Sequence, residues 1–136
     1  MLTLDTSGIL ATLNEQDPHH AQAVAALHAD GGPFIVPVGI MAEVAYMIEA
    51  RLGPDALDTF LADLQEGAFT IDCGEADLPR IRTLVTRYRD LPLGYADAAV
   101  VTCAERHRAR VLTFDLRHFT PVAGEGTIHL VAVELE

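Results

Sequence analysis

The alternation of short apolar runs with amphipathic helical stretches constrains this chain more than any other feature of its sequence. Residues 1–5 read as a brief buried strand that stops at Asp5-Thr6-Ser7, three residues suited to capping a helix over 9–13. Pro18 stands where a first helical turn tolerates it, residues 21–29 are strong helix formers, and Asp30-Gly31-Gly32-Pro33 ends them. A strand over 34–36, a helix over 38–52 stopped by Gly53, and a helix from Pro54 to about residue 66 follow. Residues 69–71 form a third strand, 77–89 a helix carrying arginines, and Leu91-Pro92-Leu93-Gly94 a break before a helix over 95–107. The pattern closes with a strand over 110–114, ended by Asp115, and an alternating one over 127–133. Strands separated by helices imply an α/β fold, a mainly parallel sheet of about five strands with helices on both faces and right-handed crossovers.

With 136 residues and no linker, repeat or low-complexity segment, the expectation is a single domain over 1–136 with one core. The opening stretch carries Asp5, lacks an early Lys or Arg and has no small-residue cleavage pattern, so it does not read as a signal peptide. The longest uncharged stretch near 34–42 is broken by Pro37 and Gly39, well short of the ~18 residues of a membrane span. Cys73 and Cys103 have neither C-x-x-C spacing nor the density of a disulfide scaffold, and the reading is two reduced, buried thiols in a cytoplasmic protein.

Twenty acids against nine bases give a formal charge of -11, a field that repels a polyanion unless cations or basic side chains are concentrated locally. All nine bases are Arg. The absence of Lys removes Walker A nucleotide binding and Schiff-base chemistry. It also removes haloacid-dehalogenase phosphatases and phospho-receiver domains, which share an Asp after the first strand but need a Lys; the phosphatase class further wants a second Asp where Ser7 stands. No Gly-rich turn follows the first strand, so dinucleotide binding fails as well.

Four acids occupy places that acids avoid. In an open α/β sheet ligands bind beyond the carboxyl ends of the strands, and Asp5 and Asp115 each stand at such an end. Asp97 heads a helical stripe with Val100, Val101 and Ala104, while Glu105 and Arg106 lie on the other side. Glu43 shares a face with Tyr46, Met47 and Ala50 opposite Glu49, and so reads as a second inward acid. Two unit charges 4 Å apart repel by ~4 kcal/mol at an effective dielectric of 20, so four carboxylates in one crevice call for a cation. An all-oxygen set favours Mg²⁺ or Mn²⁺ over zinc, and the matching chemistry is metal-assisted hydrolysis of a phosphodiester. His19 and His20 lack the i, i+4 spacing of a zinc pair and read as solvated or capping residues; His107, His118 and His129 show no nucleophile constellation.

Taken together these residues resemble the PIN-domain ribonucleases, and within them the VapC-type toxins of bacterial toxin-antitoxin pairs. Asp5-Thr6-Ser7 is similar to the family's first acid, which ends strand one before Thr or Ser. Ala42-Glu43-Val44 resembles the second, Tyr95-Ala96-Asp97-Ala98-Ala99 the third, and Leu112-Thr113-Phe114-Asp115 with Phe119 beyond it the fourth. The resemblance spans nearly the whole chain and implies a PIN-like three-layer α/β/α sandwich. It also implies Mg²⁺ or Mn²⁺ at Asp5, Glu43, Asp97 and Asp115, endonucleolytic cleavage of RNA, and a homodimer silenced by a small antitoxin. A basic antitoxin segment would suit the acidic excess, and Arg80, Arg82, Arg87 and Arg89 are the candidate grip for RNA. The competing readings are a silent PIN-like binding module and a PIN nuclease acting on DNA.

Overall fold

The computed structural model describes residues 1–131. It contains β1 (Leu2–Leu4), α1 (Thr6–Leu13), α2 (His20–Asp30), β2 (Phe34–Pro37), α3 (Met41–Leu52), α4 (Pro54–Glu66), β3 (Thr70–Asp72), α5 (Leu78–Arg87), α6 (Tyr95–Arg106), β4 (Arg110–Leu112), α7 (Leu116–Ala123) and β5 (His129–Leu130). Every strand pairing is parallel, in the order β3-β2-β1-β4-β5. The expected α/β/α sandwich of five strands is therefore the observed fold.

The strand order places β1 centrally, with the chain leaving it toward β2 on one side and returning as β4 on the other. Leu2, Leu4, Val111 and Leu112 are fully buried there, each contributing ~1.5–3 kcal/mol by leaving water. The helices fall into two packed groups: α1 with α2 and α3, and α3 with α4; then α6 with α5 and with β1, β2 and β4. Residues 98–104 of α6 are all buried because this helix meets both the sheet and α5. Gly8 lets α1 lie against β4, since a Cβ there would stand 2.5 Å from the Leu112 carbonyl oxygen.

Several expectations are corrected. The helix expected over 38–52 opens with a 3-10 turn, Val38–Ile40, before α3. Helix α7 was not expected: the sequence pattern gives residues 116–126 no element. Pro121 is accommodated inside it, while Asp115 caps its start and Phe119 and Val122 anchor it in the core. The strand expected over 127–133 is confined to His129–Leu130, and the end of that range lies outside the described residues. Cys73 and Cys103 are not reduced thiols but a disulfide, with Cα atoms 5.7 Å apart. They stand 30 positions apart in sequence, and the fold brings Cys73, just past β3, against Cys103 of α6. Among the described residues no helix is long and apolar enough to cross a membrane.

Candidate active site

The reversal of strand order at β1 opens a crevice beyond the carboxyl ends of β1 and β4. A cleft of about 310 Å³ occupies that place, and Asp5, Glu43, Asp97 and Asp115 all line it. Asp5 follows β1, its amide donating to the Leu112 carbonyl at 3.1 Å, and Asp115 follows β4 three residues later in the same neighbourhood. Asp97 arrives from the first turn of α6 and Glu43 from the first turn of α3.

Asp5 is 5% exposed. It is the residue before α1 yet makes no capping hydrogen bond. Its Oδ2 instead accepts from Ser7 Oγ and Thr113 Oγ1, both at 2.8 Å. Burial pushes its carboxyl above the ordinary range despite these two hydroxyls and the nearby Thr6 amide, and the Asp115 charge adds to the rise. Thr113 also accepts from the Asp115 amide at 3.0 Å, while Ser7 Oγ accepts from the Phe114 amide at 2.9 Å. Thr113 and Ser7 thus fasten the ends of β1 and β4 to one another through the carboxylate between them.

Asp97 is half-buried, and its carboxyl is pushed up to about 6, first by burial, then by the charge of Asp5; His118 offsets part of this, and Asp115 and Glu43 add smaller repulsions. Oxygens of Asp97 and Asp115 and a ring nitrogen of His118 lie within 4.8 Å of one another. At that separation two carboxylates repel by ~3 kcal/mol at an effective dielectric of 20. Asp115 accepts from the His118 amide at 3.3 Å, capping α7, and its Oδ2 lies 2.8 Å from His118 Nδ1.

Glu43 corrects the sequence reading, because its side chain is exposed to the cleft rather than turned inward. The buried stripe of α3 is Val44 and Ile48, and Tyr46, assigned to the inward face, is 74% exposed. Thr6 Oγ1 donates to Glu43 Oε2 at 3.3 Å and so steadies the carboxylate.

Arg51, which the sequence left unremarked, and His19, read there as solvated or capping, are among the further lining residues. Arg51 reaches the cleft from the last turn of α3. His19 lines the cleft too, its ring stacked on Phe114 at 4.4 Å between centroids and 7° between planes. Of the arginines proposed to grip RNA, Arg80 and Arg87 already form two-bond contacts with Glu105 and Glu125. His118 and Thr113 had no signature in sequence beyond their nearness to Asp115.

The donor set suits a hard divalent cation: clustered carboxylates, one imidazole, and two carboxyls pushed toward protonation first by burial and then by the charge of neighbouring acids. Asp97, Asp115 and His118 offer the donor atoms that lie nearest to a shared position, and Asp5 and Glu43 line the same cleft as the two aspartates.

A profile of the PIN domain matches residues 2–125. The chain is 35% identical over 128 residues to Ribonuclease VapC26 of Mycobacterium tuberculosis, covering 90% of this chain and 95% of that one. Its fold is similar to the crystal structure of M. tuberculosis VapC20, described as a Sarcin-Ricin loop cleaving toxin. That match has a TM-score of 0.75 at 19% identity over 89% of this chain and 95% of the other. It is also similar to FitAcB of Neisseria gonorrhoeae, with a TM-score of 0.57 at 19% identity over 88% and 91%.

Proposed function

This chain belongs to the PIN-domain family, and from that premise we propose that it is a metal-dependent endoribonuclease, the toxin of a toxin-antitoxin pair. The observation that carries the reading is the convergence of Asp5, Glu43, Asp97 and Asp115 on one cleft at the strand-order reversal. The kinship to a ribonuclease over nearly the whole chain supports RNA rather than DNA as substrate.

In this proposal Asp97 and Asp115 hold Mg²⁺ or Mn²⁺ with Asp5 beside them, and His118 is a further donor at the same position. When bound, the cation supplies charge neutralisation for the phosphodiester and acidifies water. The chain does the rest. Ser7 and Thr113 keep Asp5 aimed through their hydroxyls, and Thr6 holds Glu43 at the mouth, where its carboxylate can orient the attacking water and accept its proton. Arg51 offers a cation for the substrate's phosphate backbone inside a field that otherwise repels it. The His19–Phe114 stack presents an aromatic platform for an unpaired base.

The acidic cleft with its two raised carboxyls equally suits an arginine-bearing antitoxin segment, which would neutralise the site in place of the metal. A second copy of the chain would cover the apolar surface of α5 and α6, where Leu78 and Tyr95 are 48% and 53% exposed beside Val85. A cytoplasmic setting follows from the proposed RNA substrate.

The test is induced expression in a bacterial host followed by mapping of RNA ends. The expected result is growth arrest with one or a few discrete cuts, both absent for Asp115→Asn made to the same level. Arrest and cuts that persist in Asp115→Asn would overturn the assignment.

A further inference from the structure

Away from the acidic cleft, the end of β3 and the last turns of α6 bring together a second set of metal-ligating side chains. Cys73 follows β3, Cys103 and His107 lie one helical turn apart at the end of α6, and one donor atom from each falls within 4.8 Å of the others. Asp72 completes the group, its Oδ2 lying 2.8 Å from His107 Nε2. That nitrogen is buried and has no properly directed hydrogen bond, although the carboxylate is close. The Cys73 amide donates to Asp72 Oδ1 at 2.7 Å, and together with His107 this keeps the Asp72 carboxyl below its usual range.

We propose that Cys73, Cys103, His107 and Asp72 form a redox-gated zinc site, closed as a disulfide under oxidising conditions and open to Zn²⁺ once the cysteines are reduced. Two thiolates and an imidazole are the soft and borderline ligands that select zinc over the hard ions suited to the carboxylate cleft. Tetrahedral zinc with Zn–S near 2.3 Å sets sulfurs about 3.8 Å apart. The donor atoms therefore need only a small rearrangement after the S–S bond is broken. Cys103 is fully buried and Cys73 half-buried, while the Asp72 side chain is 49% exposed, so an ion enters from the Asp72 side.

The chemistry balances with a dithiol reductant. Two electrons and two protons pass from it to the disulfide, giving two thiols here and a disulfide in the reductant; Zn²⁺ then displaces both thiol protons. Disulfide and zinc clip the same two elements, the end of β3 and the helix that begins two residues before Asp97. The gate thus changes the chemistry of the clip without releasing α6.

The experiment adds Co²⁺ to the full chain, reduced with a phosphine and, in parallel, left oxidised. Cobalt in the carboxylate cleft gives no thiolate charge-transfer band, so the two sites are told apart spectroscopically. The reduced chain should develop a near-ultraviolet charge-transfer band and intense tetrahedral visible bands, saturating at one equivalent and bleached by Zn²⁺. The oxidised chain and Cys73→Ser should show neither. His107→Ala should weaken binding at least tenfold while circular dichroism confirms the fold. A reduced wild-type chain without the charge-transfer band, whether folded or not, would overturn the proposal, as would undiminished affinity in His107→Ala.

Discussion

Replacing Asp97 by Asn should make the metal-free protein more stable. The Asp97 carboxyl sits at about 6 against an ordinary 3.8, so the fold favours its protonated form. The sign follows from linkage: below 3.8 the group is protonated in both folded and unfolded chains and costs nothing. As pH rises from 3.8 to about 6 the unfolded chain releases the proton first, and stability falls until the folded carboxyl also ionises. About two pH units correspond to an upper limit of ~3 kcal/mol. Because Asp97 is only half-buried, solvent screening reduces this to roughly 1–1.5 kcal/mol. Asn keeps the shape of the protonated acid and cannot ionise. At pH 7.5 in EDTA its Tm should rise by about 4–6 °C for a domain of this size. At pH 4 only about a third of the free-energy gain should remain. Adding Mn²⁺ should raise the Tm of the wild type by mass action and leave Asp97→Asn nearly unmoved. A variant no more stable than wild type at pH 7.5, or one whose gain persists undiminished at pH 4, would show that the Asp97 charge does not burden the metal-free fold.

Other substitutions probe the supports of the site and the fold beneath it. Thr113→Val removes one of the two hydroxyls aimed at Asp5, and Mn²⁺ affinity measured by calorimetry should fall about tenfold or more with the fold intact. Glu43→Gln alters an exposed carboxylate, so urea unfolding should shift by under ~0.5 kcal/mol, while the RNA-cleavage kcat should drop by ~10²-fold or more. Gly8→Ala forces a methyl against the Leu112 carbonyl and should cost ~1–3 kcal/mol of stability without altering the identity of the cleaved bond.

The parts of this protein legible in sequence are those encoded by local pattern. Strand-helix alternation announced the sheet, and an acid placed directly after β1 and another after β4 are brought together by any parallel sheet that sets those strands side by side. Asp97 was legible because an acid opens an otherwise apolar helix face. Glu43 was picked from the right helix for the wrong reason: two apolar stripes can be drawn on α3, and packing chose Val44 and Ile48. Ser7, Thr113 and His118 were invisible: His118 meets Asp115 locally, through a helix α7 that was not expected, whereas Thr113's hold on Asp5 and Ser7's contacts with residues 113 and 114 exist only after strand pairing closes distances of more than a hundred residues. The Cys73–Cys103 pair was hidden in the same way, and α7 carries an internal proline that its buried Phe119 and Val122 outweigh.

The most direct test of the central claim is cleavage of an end-labelled structured RNA by the purified chain, freed of any partner, with Mn²⁺ or with EDTA, beside Asp97→Asn. The wild type should make discrete cuts in Mn²⁺ only, and the folded variant none under either condition. Equal cutting by Asp97→Asn, or cutting that survives EDTA, would contradict it.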